Sequence, residues 1–94
     1  MIKKQIIVVN RLGLHARAAA GLVRLAEGFQ CDLRLKHCGG STTADVKSIL
    51  SLLMLAATCG DCLQLAADGM DEEAAVEAIN SLFNSCFGEE RVIQ

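Results

Sequence analysis

Residues 31–36 read C-D-L-R-L-K, an unbroken alternation with Cys31, Leu33 and Leu35 on one face and Asp32, Arg34 and Lys36 on the other. Successive side chains of a strand point to opposite sides, so this segment predicts a strand with one buried and one wet face. Gly39-Gly40 then turns the chain, and residues 41–44 are expected to return as a short partner strand. A sheet that is polar on one side needs an apolar cover only on the other.

The flanking segments supply that cover. Residues 16–27 place Ala19, Leu22, Val23 and Ala26 on one side and Arg17, Arg24 and Glu27 elsewhere, which is helical spacing, stopped by Gly28. Residues 48–57 are strongly apolar and predict a second helix, with Gly60 as its turn; residues 62–67 follow as a strand with Leu63, Leu65 and Ala67 on one face. Lys3–Val9 is β-branched and predicts a first strand, although Lys3 and Lys4 set competing phases and leave its inward face open. Asp71 reads as an N-cap, Glu72 and Glu73 complement a helix dipole, and Val76, Ile79, Leu82, Phe83 and Cys86 form the stripe of a third helix. The order β-α-β-β-α-β-α predicts an α+β two-layer sandwich, a four-stranded sheet covered on one face by three helices. No proline, low-complexity tract or repeat divides the chain, so residues 1–94 are expected to form one domain.

With 94 residues the chain has room for one core but little for an enclosed substrate pocket, which favours a carrier, adaptor or regulator over a stand-alone enzyme. Nine basic against eleven acidic residues leave a net charge of -2, which gives no reason to expect nucleic acid or an anionic membrane as partner. No apolar run reaches membrane-spanning length, and residues 1–10 lack the pattern of a secretory signal, so a soluble cytoplasmic protein is expected. The five cysteines, an odd number, are expected to be reduced.

Residues 10–20 read N-R-L-G-L-H-A-R-A-A-A, a passage from strand through loop to helix with His15 just ahead of the first helical turn. A helix start leaves backbone N–H groups without intrahelical partners and adds partial positive charge, so it stabilises an anion. A neutral imidazole is a nucleophile near pH 7 and holds a phosphoryl group through nitrogen, while Arg17 supplies charge-assisted hydrogen bonds to its oxygens. By itself His-x-Arg is a weak signal, for which a capping or surface histidine beside a solvated arginine is the simpler account.

The G-L-H-A-R segment, K-S-I-L at 47–50, the M-L-A-A stretch, the Gly60 turn and G-x-D-E at 69–72 together resemble HPr, the histidine phosphocarrier family of the bacterial phosphotransferase system. The resemblance covers essentially the whole chain and implies an open-faced β-sandwich. It implies that His15 accepts a phosphoryl group at Nδ1 from enzyme I, which draws on phosphoenolpyruvate, and donates it to an enzyme IIA protein, with Arg17 steadying the group. It further implies a monomeric covalent carrier needing neither cofactor nor metal. One departure is that the family usually has proline where this chain has Ala18, for which an altered phosphorylation rate is expected. The L-F-N-S-C-F ending at 82–87 resembles the nitrogen-related branch of the family.

Ile49, Leu50, Leu52, Leu53, Met54 and Leu55 cannot all face one core, because helical positions advance by about 100°. If Leu52 and Leu55 pack inward, Ile49, Leu50, Leu53 and Met54 form an exposed apolar patch of the kind that marks protein contacts. The resemblance implies that this helix and the motif helix dock the partners together; Ala20 and Arg24 are the expected contacts on the motif helix, with the Arg24 charge opposed by Glu27. Ser48 matches the regulatory serine of HPr proteins phosphorylated by a dedicated kinase, although a plain N-cap role is the simpler account. Two competing readings concern other classes: a regulatory adaptor whose binding is switched by phosphate, and a zinc or redox role for C-x-x-C at 59–62 with His37-Cys38 nearby. Cysteine as a small apolar filler is the simpler account.

Overall fold

The structure, a computed structural model, describes residues 1–89. The elements are β1 (Ile2–Ile7), α1 (Ala16–Ala26), β2 (Asp32–His37), β3 (Ala44–Asp45), α2 (Ile49–Leu55), β4 (Cys62–Asp68) and α3 (Glu72–Asn84), followed by a 3-10 turn at Cys86–Gly88. The four strands form one antiparallel sheet in the order β1-β4-β2-β3. This is the expected α+β architecture, with the helices on one face.

Register explains which face they cover. Leu35 lies opposite Leu65, Leu33 opposite Ala67, and Ile6 opposite Leu63, and all six are buried. Leu22 of α1, Leu52 of α2 and Ile79 and Phe83 of α3 are buried with them in one cluster. The alternate row, with Gln5 and Lys36 each opposite Gln64, forms the solvent face. The phase of β1 is now settled: Ile6 and Val8 point inward, while Lys4, in the same phase, stays exposed at the helix side and lines a groove with Glu73 and Glu77.

Three local expectations need correction. The partner strand is only Ala44–Asp45, so residues 41–43 are connection. Helix α2 ends at Leu55, where Ala56 adopts a left-handed conformation (φ 54°), before Gly60 is reached. The early stop lets the Ala57 carbonyl accept the Leu14 N–H at 3.0 Å, a tie to the segment ahead of α1. Asp71 stands at the α3 N-cap but does not cap it with its side chain; its carboxylate instead accepts the N–H groups of Gln30 (2.8 Å) and Cys31 (3.0 Å). Asp71 therefore joins α3 to the start of β2. Gly69 completes that junction at φ +153°, where an added Cβ would lie 2.7 Å from the Cys31 Cα and Cβ.

The α3 stripe is shared differently from the expected one. Ala75, Ile79 and Phe83 are its buried residues, Val76 and Leu82 pack at the margin, and Cys86 is buried just beyond the helix in the 3-10 turn. The expectation of reduced cysteines is also corrected: Cys38 and Cys62 form a disulfide, leaving Cys31, Cys59 and Cys86 free. The signal was hidden because the bonded partner of Cys62 is its cross-strand neighbour 24 residues earlier in the chain, and the local C-x-x-C mate, Cys59, is free and exposed.

Candidate functional site

β1 delivers the chain to Asn10, whose side chain is fully buried and donates through Nδ2 to the Gly13 carbonyl at 2.7 Å. Gly13 adopts φ +64°, and a Cβ there would sit 2.6 Å from the Ala57 carbonyl oxygen, so glycine is required both by conformation and by space. The Leu14 N–H bond to the same Ala57 carbonyl holds the next residue. These contacts fix the entry into α1 and place His15 at its N-cap with extended backbone (φ -78°, ψ 178°).

His15 does not cap the helix with its side chain. The first backbone closure is Ala19 N–H to the His15 carbonyl at 2.8 Å, which leaves the N–H groups of Ala16, Arg17 and Ala18 outside the α1 ladder. Their combined dipole is an anion-binding environment at the imidazole. Ala18 contributes an N–H that proline at this position would lack. Arg17 is exposed, and its charge acts on the Glu89 carboxyl beside His15.

Glu89 is the site residue that sequence reasoning missed. Its Oε2 meets His15 Nε2, and its Oε1 accepts Asn10 Nδ2 at 3.2 Å. Partial burial raises the Glu89 pKa, but hydrogen bonds from His15 and Asn10 and the charges of His15 and Arg17 outweigh it and hold the carboxyl below its ordinary range. The carboxylate accepts a hydrogen bond from Nε2–H, which leaves the imidazole lone pair on Nδ1. Nothing local announces Glu89, since it lies 74 residues from His15 in sequence and is delivered by the turn after α3.

The depressed Glu89 pKa has a sign for stability. Its folded value lies below the unfolded value near 4.3, so the contribution is complete above about pH 5 and is lost as pH falls through the folded value. Asp61, Asp71 and Glu72 are shifted the same way, chiefly by backbone N–H bonds from Thr58, Gln30 and Gly69 respectively. The urea midpoint is therefore expected to hold from pH 7 to about 5 and to fall steadily between about pH 4 and 2. A midpoint unchanged at pH 3 would contradict these assignments.

The structure brings the expected patch to the surface: Leu52 and Leu55 are buried, while Ile49 (43% exposed), Leu50 (68%), Leu53 (38%) and Met54 (76%) face outward. α1 packs beside α2, with Ala20 half-buried and Arg24 exposed on its outer side. Leu12, 65% exposed in the loop before His15, adds apolar surface that sequence reasoning did not single out. Ser48 is the α2 N-cap, its Oγ accepting the Ser51 N–H at 3.2 Å. Among the described residues no cluster of His, Cys, Asp and Glu could hold a metal, and no helix is long and apolar enough to cross a membrane.

A helix-covered antiparallel sheet thus presents a histidine at the start of its first helix. The model of the PTS HPr component phosphorylation site matches residues 2–85. Among curated relatives, the phosphocarrier protein HPr of Cupriavidus necator is 39% identical, with 95% of this chain and 98% of the relative covered. The phosphocarrier protein NPr of Escherichia coli K12 is 38% identical at the same coverage. Among solved structures, HPr of Thermoanaerobacter tengcongensis superposes with a TM-score of 0.90 at 36% identity, covering 96% of this chain and 99% of that one. The chain belongs to the HPr family of phosphocarriers of the phosphotransferase system. Its near-equal identity to an HPr and to an NPr means that overall similarity does not assign a branch.

Proposed function

We propose that this protein is a cytoplasmic, monomeric, single-domain phosphocarrier that accepts a phosphoryl group on His15 from phospho-enzyme I and passes it to an enzyme IIA-type protein. The observation that carries this reading is the His15 imidazole at the start of α1, held through Nε2 by Glu89 beside three backbone N–H groups outside the ladder. In the proposed transfer the Nδ1 lone pair attacks phosphorus in line as the donor's P–N bond breaks. Arg17 and the N–H groups of Ala16, Arg17 and Ala18 take up charge on the phosphoryl oxygens. The Nε2 proton stays with the ring and donates to Glu89, which stabilises the positive character that phosphorylation gives the imidazole. Onward transfer is the same displacement in reverse, with the acceptor's nucleophile attacking, so His15 ends unmodified. The shallow site suits a carrier, because a deep cationic cage would bind the group too tightly to release it.

Glu89 in this account is a positioning residue. Glu89→Gln keeps the shape but lets the ring take either tautomer, and phosphorylation is expected to slow by about tenfold to a hundredfold in kcat with little change in KM. A variant as fast as the parent would remove Glu89 from the mechanism.

The apolar patch of Ile49, Leu50, Leu53 and Met54, with Ala20 and Arg24 on α1, is proposed as the docking surface for both partners. A charge desolvated there is costly, so Leu50→Asp or Met54→Asp should raise KM for enzyme I by about tenfold or more while leaving the melting temperature unchanged. Phosphate on Ser48 from a serine kinase would keep the cap and place about two negative charges beside this patch, opposing docking without unfolding α2. The reading as a whole is tested by incubating the protein with phosphoenolpyruvate and enzyme I. One acid-labile, base-stable phosphoryl group is expected, and its absence would overturn the proposal.

A further inference from the structure

The sulfur pair on the open face of the sheet carries an inference independent of His15. Cys38 follows β2 and lies opposite Cys62, the first residue of β4, with their Cα atoms 5.5 Å apart and the Cys38 N–H bonded to the Cys62 carbonyl at 2.9 Å. That separation lies in the ordinary range for a disulfide, and the backbone ladder sets it rather than the sulfurs themselves. The bond can therefore open and close while the strands stay where they are. Cys38 is exposed, Cys62 is half-buried on the water-facing row, and Gln5 donates through Nε2 to the Cys62 sulfur at 2.9 Å. Lys36, Gln5 and Gln64 line a shallow polar cleft with Cys38 and Gly39.

An open approach, a charged and polar rim and a preset backbone are what a small anionic thiol needs for exchange. A purely structural staple fits less well. The domain already buries a continuous core from all three helices and the sheet, which small disulfide-dependent folds lack. Cys31, by contrast, is buried, and its thiol pKa is raised first by burial and then by Asp71, so it is poorly suited to the same chemistry.

We infer that Cys38 and Cys62 form a reversible thiol–disulfide site, exchanging with a low-molecular-weight thiol/disulfide couple of the glutathione class. In the reducing direction an external thiolate attacks one sulfur of the pair, forms a mixed disulfide and releases the other as a thiolate, which takes a proton from water. A second external thiol resolves the mixed disulfide. Two external thiols become one disulfide, two electrons pass to the protein, and both cysteines end as thiols. The oxidised form closes the loop that contains β3 and α2, which restricts the unfolded chain and makes the folded carrier more resistant to heat.

The test equilibrates the full-length protein in glutathione buffers of graded poise, stops exchange with acid, then alkylates the free thiols in denaturant at neutral pH and maps the modified cysteines. Cys38 and Cys62 are expected to become protected from alkylation together in one two-electron transition as the buffer is made more oxidising, with Cys59→Ser behaving as the parent. The oxidised form should melt on the order of 10 °C above the reduced one, a difference absent from Cys38→Ser. A bridge mapped to Cys59, or Cys38 and Cys62 fully alkylated in the most oxidising buffer, would overturn the assignment. So would a native disulfide that excess dithiol fails to open.

Discussion

His15→Ala should accept no phosphoryl group from phospho-enzyme I above background while staying folded, melting only a few degrees below the parent for loss of the Glu89 contact. The side chain is the nucleophile, so truncation removes the atom that forms the bond to phosphorus, and no neighbour replaces it. Arg17 and the α1 N–H groups would still attract an anion but would hold it without reacting. The fold should survive because His15 lies at the rim: its main structural contact is with Glu89, while the loop ahead of it is held by Asn10, Gly13 and the Leu14–Ala57 bond. Mass spectrometry after reaction, with thermal melting of the same sample, checks both halves. Residual label on His15→Ala would place the acceptor elsewhere, with Ser48 the first residue to inspect.

Phe83→Ala is expected to have the opposite profile, losing the fold with no direct effect on the site. Phe83 is completely buried, belongs to the cluster between α3 and the sheet, and meets the Phe87 ring edge-on at a centroid distance of 4.9 Å. Emptying such a position costs about 3–5 kcal/mol, a large part of the net stability of about 5–10 kcal/mol usual for a domain of this size. The melting temperature should fall by at least about 12 °C. Because the turn after α3 delivers Glu89, phosphorylation should weaken as the fold loosens and recover on cooling. Circular dichroism melts of the two variants side by side separate chemistry from scaffold, and a Phe83→Ala protein as stable as the parent would contradict the core assignment.

The layer architecture was legible because alternation in 31–36 and helical spacing in 16–27 are local patterns that the tertiary structure reinforces. The inward set of α2 was legible for the same reason, since only Leu52 and Leu55 combine with the sheet. Legibility failed where one part of the chain acts on a distant one. Asp71 has the residue type and place of an N-cap, yet its carboxylate is drawn to two N–H groups 40 and 41 residues away. Ala56 gives no warning of its left-handed turn, which becomes necessary only because Ala57 must reach Leu14. Cys62 read as half of a C-x-x-C, although strand pairing assigns it to Cys38. In the candidate site, His15 and Arg17 stand in a contiguous motif, whereas Glu89 arrives through the closing turn of the fold.

The phosphoryl group on His15 is expected to be cargo, passed on, and not only a switch for binding. Purifying the phosphorylated protein away from enzyme I and adding an enzyme IIA-type acceptor without further phosphoenolpyruvate separates the two. Label leaving His15 and appearing in equal amount on the acceptor is the predicted result. Label that stays on His15 while only the affinity for the partner changes would contradict the account and make the protein a regulatory adaptor.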